Sequence, residues 1–340
     1  MKARRWLIVG AGSIGRRHLG NLQALGQREL CVVDPDAAAR QQAEQQYGAL
    51  AVADLEAGLA RRPDAVIIAT PTSMHVPVAL AAVRAGSHLF IEKPLSDRLA
   101  GVEELLSIVQ SRNLVTLVGC NMQFHPGPRL IKQVLEQGTL GPLLGARLEV
   151  GSYLPSWHPG ADYRAGYSAN PALGGGCVLD AIHELDLACW FFGFPSEVLA
   201  ATRPGETLGI ETEAMAEIVL SYERGPLCSV HLDYVQRWRQ RRAEVIGRDG
   251  TVVWESRRRS VEWLAGDAAA PERLGYDDAY DPNTMYVEEL KHFLACLDGQ
   301  AASCADVAWA ARVTELALAV KQSAREHQPI APGLEAPWSS

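Results

Sequence analysis

Lysine, positive charge, paired cysteine and long apolar runs are what this sequence has least of. Five lysines (2, 93, 132, 291 and 321) stand among 32 basic residues, against 40 acidic ones, giving a net charge of −8. A summed field of that sign repels phosphate backbones and anionic headgroups, so neither nucleic acid nor a membrane is expected as a partner. The seven cysteines (31, 120, 177, 189, 228, 296 and 304) are odd in number and show no C-x-x-C spacing. That pattern suits reduced thiols in a cytoplasmic protein. A zinc set drawn from Cys177, Asp180, His183 and Cys189 matches no usual ligand spacing, so no metal is expected. No stretch of about 18 uncharged apolar residues occurs, and the apolar run after the basic opening stops at Gly10. Neither a membrane span nor a secretory leader is expected.

What is present is an average globular composition, 48% apolar and 21% charged, spread over 340 residues. That length exceeds what one hydrophobic core usually serves, which implies two domains. Through residue 122 strand-like and helix-like patterns alternate. Trp6 to Val9, Leu30 to Val33, Ala49 to Val52, Ala65 to Ala69, Leu89 to Ile91 and Leu114 to Val118 read as strands, separated by helical segments. Ala65-Val-Ile-Ile-Ala69 shows no polar alternation, as a strand covered on both faces requires. The expectation is a doubly wound α/β sheet. Beyond 122 the texture changes. Leu148 to Leu154, Val198 to Thr202, Ala214 to Tyr222, Leu227 to Val235, Ala243 to Ile246 and Thr251 to Trp254 predict a large, mainly antiparallel sheet, closed by helices Met285 to Leu297 and Val307 to Ser323. We therefore expect domains at 1–122 and 123–340, with the final helix free to return onto the first.

Gly10-Ala11-Gly12-Ser13-Ile14-Gly15 is G-x-G-x-x-G placed after a strand and at the opening of a helix. In that setting the first glycine permits the tight turn and the second lets backbone approach a pyrophosphate. The third lets helix pack closely on strand, which aims the helix N-terminus at the phosphates. Asp34 follows nineteen residues after Gly15, at the end of the second strand, where an acid accepts from an adenosine ribose diol. An acid there repels a 2′-phosphate, so NAD is favoured, with Arg40 the one nearby cation that could admit NADP.

Lys93 lies in Glu92-Lys93-Pro94 at the carboxyl edge of the fifth strand, where open α/β sheets bind ligands. A partly desolvated lysine there can hold or deprotonate a hydroxyl. Gly174-Gly-Gly leads into Asp180 and His183, three residues apart. On one helix these would share a face, letting the carboxylate orient the imidazole for acid/base work. Trp157, His158, Tyr163, Arg164 and Tyr167 occupy a loop long enough to border a cleft, where rings stack on sugars and Arg reads hydroxyls or phosphate. Arg237, Arg239, Arg241 and Arg242 around Trp238 read either as a diphosphate contact or as a solvated strand face.

Taken together, the glycine turn with His18, Glu92-Lys93-Pro94 and Gly-Gly-Gly followed by Asp180 and His183 resemble the Gfo/Idh/MocA family, over almost the whole chain. The segments around Trp157-His158-Pro, Asp162-Tyr-Arg164 and Asp180-Ala-Ile-His183 are similar to the branch associated with surface polysaccharide and sialic-acid-like sugar synthesis. The resemblance implies an NAD(P)-binding Rossmann domain and a C-terminal α/β domain whose open sheet assembles homodimers or homotetramers. It implies hydride transfer between the nicotinamide and a secondary alcohol or ketone of a sugar, free or nucleotide-linked. Residue by residue, it makes Lys93, His183 and Asp180 catalytic, and Gly10, Gly12, Ser13, Ile14, Gly15, Asp34, Thr70, Pro71, His75, Glu92 and Lys93 cofactor contacts. Asn121, Gln123, Trp157, His158, Tyr163 and Arg164 become substrate contacts. Two departures stand out: Asp precedes His by three residues where many relatives have four, and Gln123 replaces a frequent Arg. Whether His183 or Lys93 is the base stays open. Two rivals stay open as well: a dinucleotide-binding sensor or assembly protein without turnover, and a reductase of a non-sugar imine, enone or diol.

Overall fold

The apolar runs of the first third pair side by side in the computed structural model, which describes residues 2–157, 159–160, 162–266, 268–276 and 279–333. Strands β1 (Arg5–Val9), β2 (Glu29–Val33), β3 (Leu50–Val52), β4 (Ala65–Ile68), β5 (His88–Ile91) and β6 (Thr116–Val118) form a sheet in the order β3-β2-β1-β4-β5-β6. All its pairs are parallel. The order reverses between β1 and β4, and the carboxyl ends at that reversal are where such sheets take ligands. Ala65, Val66, Ile67 and Ile68 are all fully buried, which is why β4 carries no polar alternation.

The chain folds as two compact units, Met1–Asn121 with Asn283–Arg312, and Met122–Pro282 with the chain from Val313. Helix Asn283–Leu297 sends Phe293 into edge-on contact with Trp6 and Phe90, at ring separations of 6.1 and 5.8 Å. The Val118 amide donates to Ala305 O at 2.8 Å. Residues 283–312 thus complete the core of the first unit. Their apolar pattern announces burial without naming the partner.

In the second unit, β7 (Leu143–Gly151), β8 (Glu197–Pro204), β9 (Glu213–Ser221), β10 (Leu227–Asp233), β11 (Gln240–Gly247), β12 (Gly250–Glu255), β13 (Ser260–Ala265) and β14 (Glu272–Gly275) form one sheet. Its order is β14-β13-β12-β11-β7-β10-β9-β8, antiparallel except for β7 with β10. One face is apolar: Val198, Ala216, Ile218, Leu220, Val230, Leu232 and Val245 are buried. Helix His183–Phe192 packs on it against β7 and β10.

Three local expectations change. β7 runs over 143–151 and not 148–154, because Ala146 and Leu148 point inward while Arg147 pairs with Glu244 across the other face at 2.8 Å. β13 and β14 were not anticipated, since charged residues such as Glu262 and Arg273 face each other across the pair and dilute the apolar signal. Asp180 and His183 do not share a helix. Cys177–Asp180 is a single turn ending at Ala181 (φ −93°, ψ 29°), and a new helix starts at His183. No helix among the described residues is long and apolar enough to cross a membrane.

Candidate active site

The glycine turn joins β1 to helix Ser13–Ala24, and its three glycines serve different ends. Gly10 sits at φ +102°, and a Cβ there would lie 2.4 Å from Ala69 O. A Cβ on Gly15 would lie 1.9 Å from Gly10 O. Both are demanded by the fold itself. Gly12 is not, because a Cβ on it would meet nothing within 4 Å. The helix begins without a side-chain cap, so the amides of the first turn, at exposed Ser13, half-buried Ile14 and buried Gly15, have no side-chain acceptor among the described residues. Open space over Gly12 beside uncapped amides is the shape a pyrophosphate fills.

Asp34 Oδ2 accepts from the Ala11 amide at 2.7 Å, and its Oδ1 accepts from Asp36 N at 2.8 Å, which ties the end of β2 to the glycine turn. Each oxygen keeps lone-pair capacity for a ribose hydroxyl. Arg40 donates through one nitrogen to the Asp34 and Pro35 carbonyls at 2.7 and 2.9 Å, so this cation is engaged with the turn backbone. At the end of β4, the buried Thr70 Oγ1 has no hydrogen-bond partner among the described residues, and the half-buried Pro71 follows it. These residues fit a dinucleotide: open backbone, free amides, an acid for the ribose and an orphan hydroxyl at the sheet edge.

Lys93 is half-buried and precedes a cis peptide to Pro94. Two buried histidines brace its neighbours. His18, on the first helix and fully buried, donates from Nε2 to Glu92 Oε1 at 2.6 Å, and its Nδ1 has no partner among the described residues. Burial pushes the Glu92 carboxyl up, but the His18 hydrogen bond and the charges of His18, Lys93 and His75 outweigh this and hold it below the usual carboxylate range. His75 places Nδ1 2.7 Å from Pro94 O and Nε2 2.9 Å from Thr70 O, so its ring is spent on backbone. Burial pushes this imidazole down, against the pull of the two carbonyls. The side chains of Glu92 and His75, expected as cofactor contacts, thus hold the loops on either side of Lys93.

In the second unit, Asp180 is buried and accepts from three hydroxyls: Tyr167, Ser168 at 2.8 Å and Tyr234 at 3.0 Å. Burial first, then the charge of Asp180, push the Tyr234 phenol well up, so it remains a donor. Tyr234 and Ser168 were not singled out from sequence. A tyrosine at the end of a buried strand carries no signal until the fold sets it beside Asp180. His183 is buried one short turn further on.

The expected substrate contacts divide. Asn121 and Gln123 lie in the short turn Asn121–Phe124, and both are buried. Gln123 Nε2 reaches both Asp186 oxygens at 3.1 and 3.0 Å, and its Oε1 has no partner among the described residues. Trp157 packs edge-on to Tyr234 at 5.5 Å, donates to Ser152 Oγ at 2.7 Å and keeps 37% exposure. Tyr163 donates its hydroxyl to Leu208 O at 2.8 Å, so it anchors the loop. The exposed Arg164 lies 4.9 Å over the Tyr163 ring. His158 lies outside the described residues. Arg241 turns inward to the buried Glu184, Nε to Oε1 at 2.8 Å, which removes it from the surface arginines.

Residues 4–120 match the Gfo/Idh/MocA oxidoreductase family with its NAD-binding Rossmann fold, and residues 129–253 match the C-terminal domain of the same family. The chain belongs to the Gfo/Idh/MocA family. Myo-inositol 2-dehydrogenase of Thermotoga maritima is 26% identical over 304 residues, 84% of this chain and 86% of that one. Among solved structures, a levoglucosan dehydrogenase in complex with NADH and levoglucosan superposes with a TM-score of 0.89 at 18% identity, over 97% and 99% of the two chains. The WlbA dehydrogenase from Bordetella pertussis, in complex with NADH and UDP-GlcNAcA, superposes at 0.81 with 23% identity, over the same shares. At these identities the structural likeness is one of fold. The Rossmann unit of this Gfo/Idh/MocA protein is the NAD-binding one.

Proposed function

We propose that this protein is an NAD-dependent oxidoreductase that moves hydride between the nicotinamide and a secondary alcohol or ketone of a sugar, free or nucleotide-linked. The observation that carries the reading is the open backbone at Gly12 beside Asp34, in a chain of an NAD-binding oxidoreductase family. When bound, NAD supplies the hydride acceptor at its nicotinamide ring. The first-turn amides hold the pyrophosphate, and the Asp34 carboxylate accepts from the ribose and disfavours a 2′-phosphate.

The polar side chains take the following roles in this reading. His183 is assigned the role of accepting the hydroxyl proton of the substrate, and Lys93 that of a hydrogen-bond donor that stabilises developing negative charge. Asp180, held by three hydroxyls, supplies fixed negative charge for an imidazolium. His18 holds the Glu92 carboxylate and His75 the Pro94 carbonyl, one on each side of Lys93. The other face of the eight-stranded sheet exposes Leu199, Val219, Leu227 and Leu264. Such a face supports a homodimer or homotetramer built on that sheet.

The test is incubation with NAD+ or NADP+ and a panel of inositols, sugars and nucleotide sugars, read at the reduced-nicotinamide absorbance. We expect reduction of NAD+ by at least one sugar alcohol, with a weaker NADP+ signal. Tight NADH binding with no hydride exchange across the panel would overturn the reading in favour of a dinucleotide sensor.

A further inference from the structure

One end of the eight-stranded sheet gathers cations that the fold does not neutralise. β7 and β10 run parallel and finish together at Gly151 and Asp233, β11 starts opposite Gly151, and β12 finishes opposite Arg242. The loop after β7, the connection 234–239 and the turn 256–259 therefore leave the sheet at the same end. That end also holds Tyr234, whose hydroxyl reaches Asp180.

Several arginines there are spoken for: Arg241 by Glu184, Arg242 by Glu244, and Arg258 by Glu255 and Glu262. Arg237, Arg239 and Arg257, all exposed, have no carboxylate partner among the described residues. Two of them stack on rings. The Arg237 guanidinium lies 4.1 Å over Tyr153 and donates to its hydroxyl at 3.1 Å, and Arg257 lies 3.8 Å over Trp238. A stacked guanidinium uses its face and leaves its in-plane N–H donors for an anion. Trp238 itself is 65% exposed. The connection carrying it is tied by hydrogen bonds: Asp233 Oδ1 accepts from the Val235 and Gln236 amides at 2.7 and 2.6 Å, and Gln236 Nε2 donates to Trp238 O at 2.7 Å.

An exposed indole with Arg257 over its ring and Arg237 and Arg239 beside it in the chain, none of the three paired with a carboxylate among the described residues, on a chain of net charge −8, fits a ligand with a planar ring and adjacent phosphates. We propose that Arg237, Trp238, Arg239 and Arg257 form a subsite for the nucleoside diphosphate of a nucleotide-linked sugar. This rests on the sugar oxidoreductase reading and narrows its substrate class. The ring stacks on the open face of Trp238, and the arginines hold the diphosphate bidentately.

The experiment titrates the full chain, saturated with NADH, with UDP, uridine, inorganic pyrophosphate and a short DNA duplex, by calorimetry and tryptophan fluorescence. UDP should bind at least tenfold more tightly than uridine or pyrophosphate. Trp238→Ala and the pair Arg237→Ser with Arg257→Ser should each weaken UDP at least tenfold, with the thermal midpoint and NADH affinity of the parent. Absence of UDP binding, or UDP affinity unchanged in both variants, would overturn the subsite. So would a duplex that binds as tightly as UDP and displaces it, since that marks a general polyanion surface. UDP binding without hydride exchange on any sugar keeps the subsite and removes the oxidoreductase reading. Hydride exchange on a free sugar without UDP binding does the reverse.

Discussion

Replacing Gly12 and Gly15 separately by alanine distinguishes a glycine kept for a ligand from one kept for the fold. A Cβ at Gly15 would lie 1.9 Å from Gly10 O and 3.0 Å from the Gly10 carbonyl carbon, both backbone atoms of the turn itself. Relief requires moving that turn. Overpacking of this kind costs about 1–3 kcal/mol or more, and the gain in helix propensity, about 1 kcal/mol, offsets only part of it. Gly15→Ala should therefore lose about 2 kcal/mol of stability together with cofactor affinity. Gly12 has φ −63° and ψ −172°, which alanine adopts, and its added Cβ meets nothing within 4 Å. As a helix N-cap, glycine to alanine costs about 1 kcal/mol or less. Its methyl group, however, occupies the space assigned to the pyrophosphate. Gly12→Ala should bind NADH at least tenfold more weakly, about 1.4 kcal/mol, while melting close to the parent. The assay is NADH fluorescence titration beside denaturant unfolding of both variants. Parental NADH affinity in Gly12→Ala, or parental stability in Gly15→Ala, would refute the assignment of roles.

Other consequences follow from buried polar pairs. Tyr234→Phe removes one of the hydroxyl donors to the buried Asp180 and should cost about 1.5–3 kcal/mol in urea unfolding. Arg241→Ala strips the guanidinium from a buried Glu184 and should cost about 3–5 kcal/mol, whereas Arg241→Met with Glu184→Leu should recover most of that loss. Stability should also fall on both sides of neutral pH. His231 is raised to about 9, first by its hydrogen bond to Asp233 and also by Glu217. Its contribution is complete below about 6.5 and is lost as pH rises through 9. His125, boxed by Trp254, Tyr276 and Tyr280, is lowered to about 4 by burial and by the Arg241 charge. The folded state resists its protonation, so stability drops as pH falls from about 6.5 toward 4. Thermal midpoints across pH should lose the alkaline limb in His231→Gln and flatten on the acid side in His125→Asn.

The parallel sheet was legible because β1, β2, β4 and β5 are almost wholly buried, and burial on both faces writes itself as a continuous apolar run. The glycine turn was legible because its spacing is dictated by backbone sterics. β13 and β14 were not, since their charged residues pair with each other and break the alternation. The break between Asp180 and His183 was hidden because helical spacing says which residues share a face, not whether the helix continues through Ala181. The supports of the site were the least visible part. His75 on the Pro94 carbonyl, Tyr234 on Asp180 and Arg241 on Glu184 join residues 19 or more apart in the chain, and local pattern cannot register such pairs.

The central claim is that Lys93 and His183 act on the substrate alcohol. The most direct measurement is single-turnover hydride transfer in Lys93→Met and His183→Asn, with NADH affinity measured in parallel, on a sugar that the parent turns over. The account predicts NADH affinity within about threefold of the parent and transfer rates reduced by about 10²–10⁴ in each variant. Near-parental transfer in both variants, with NADH still bound, would contradict it.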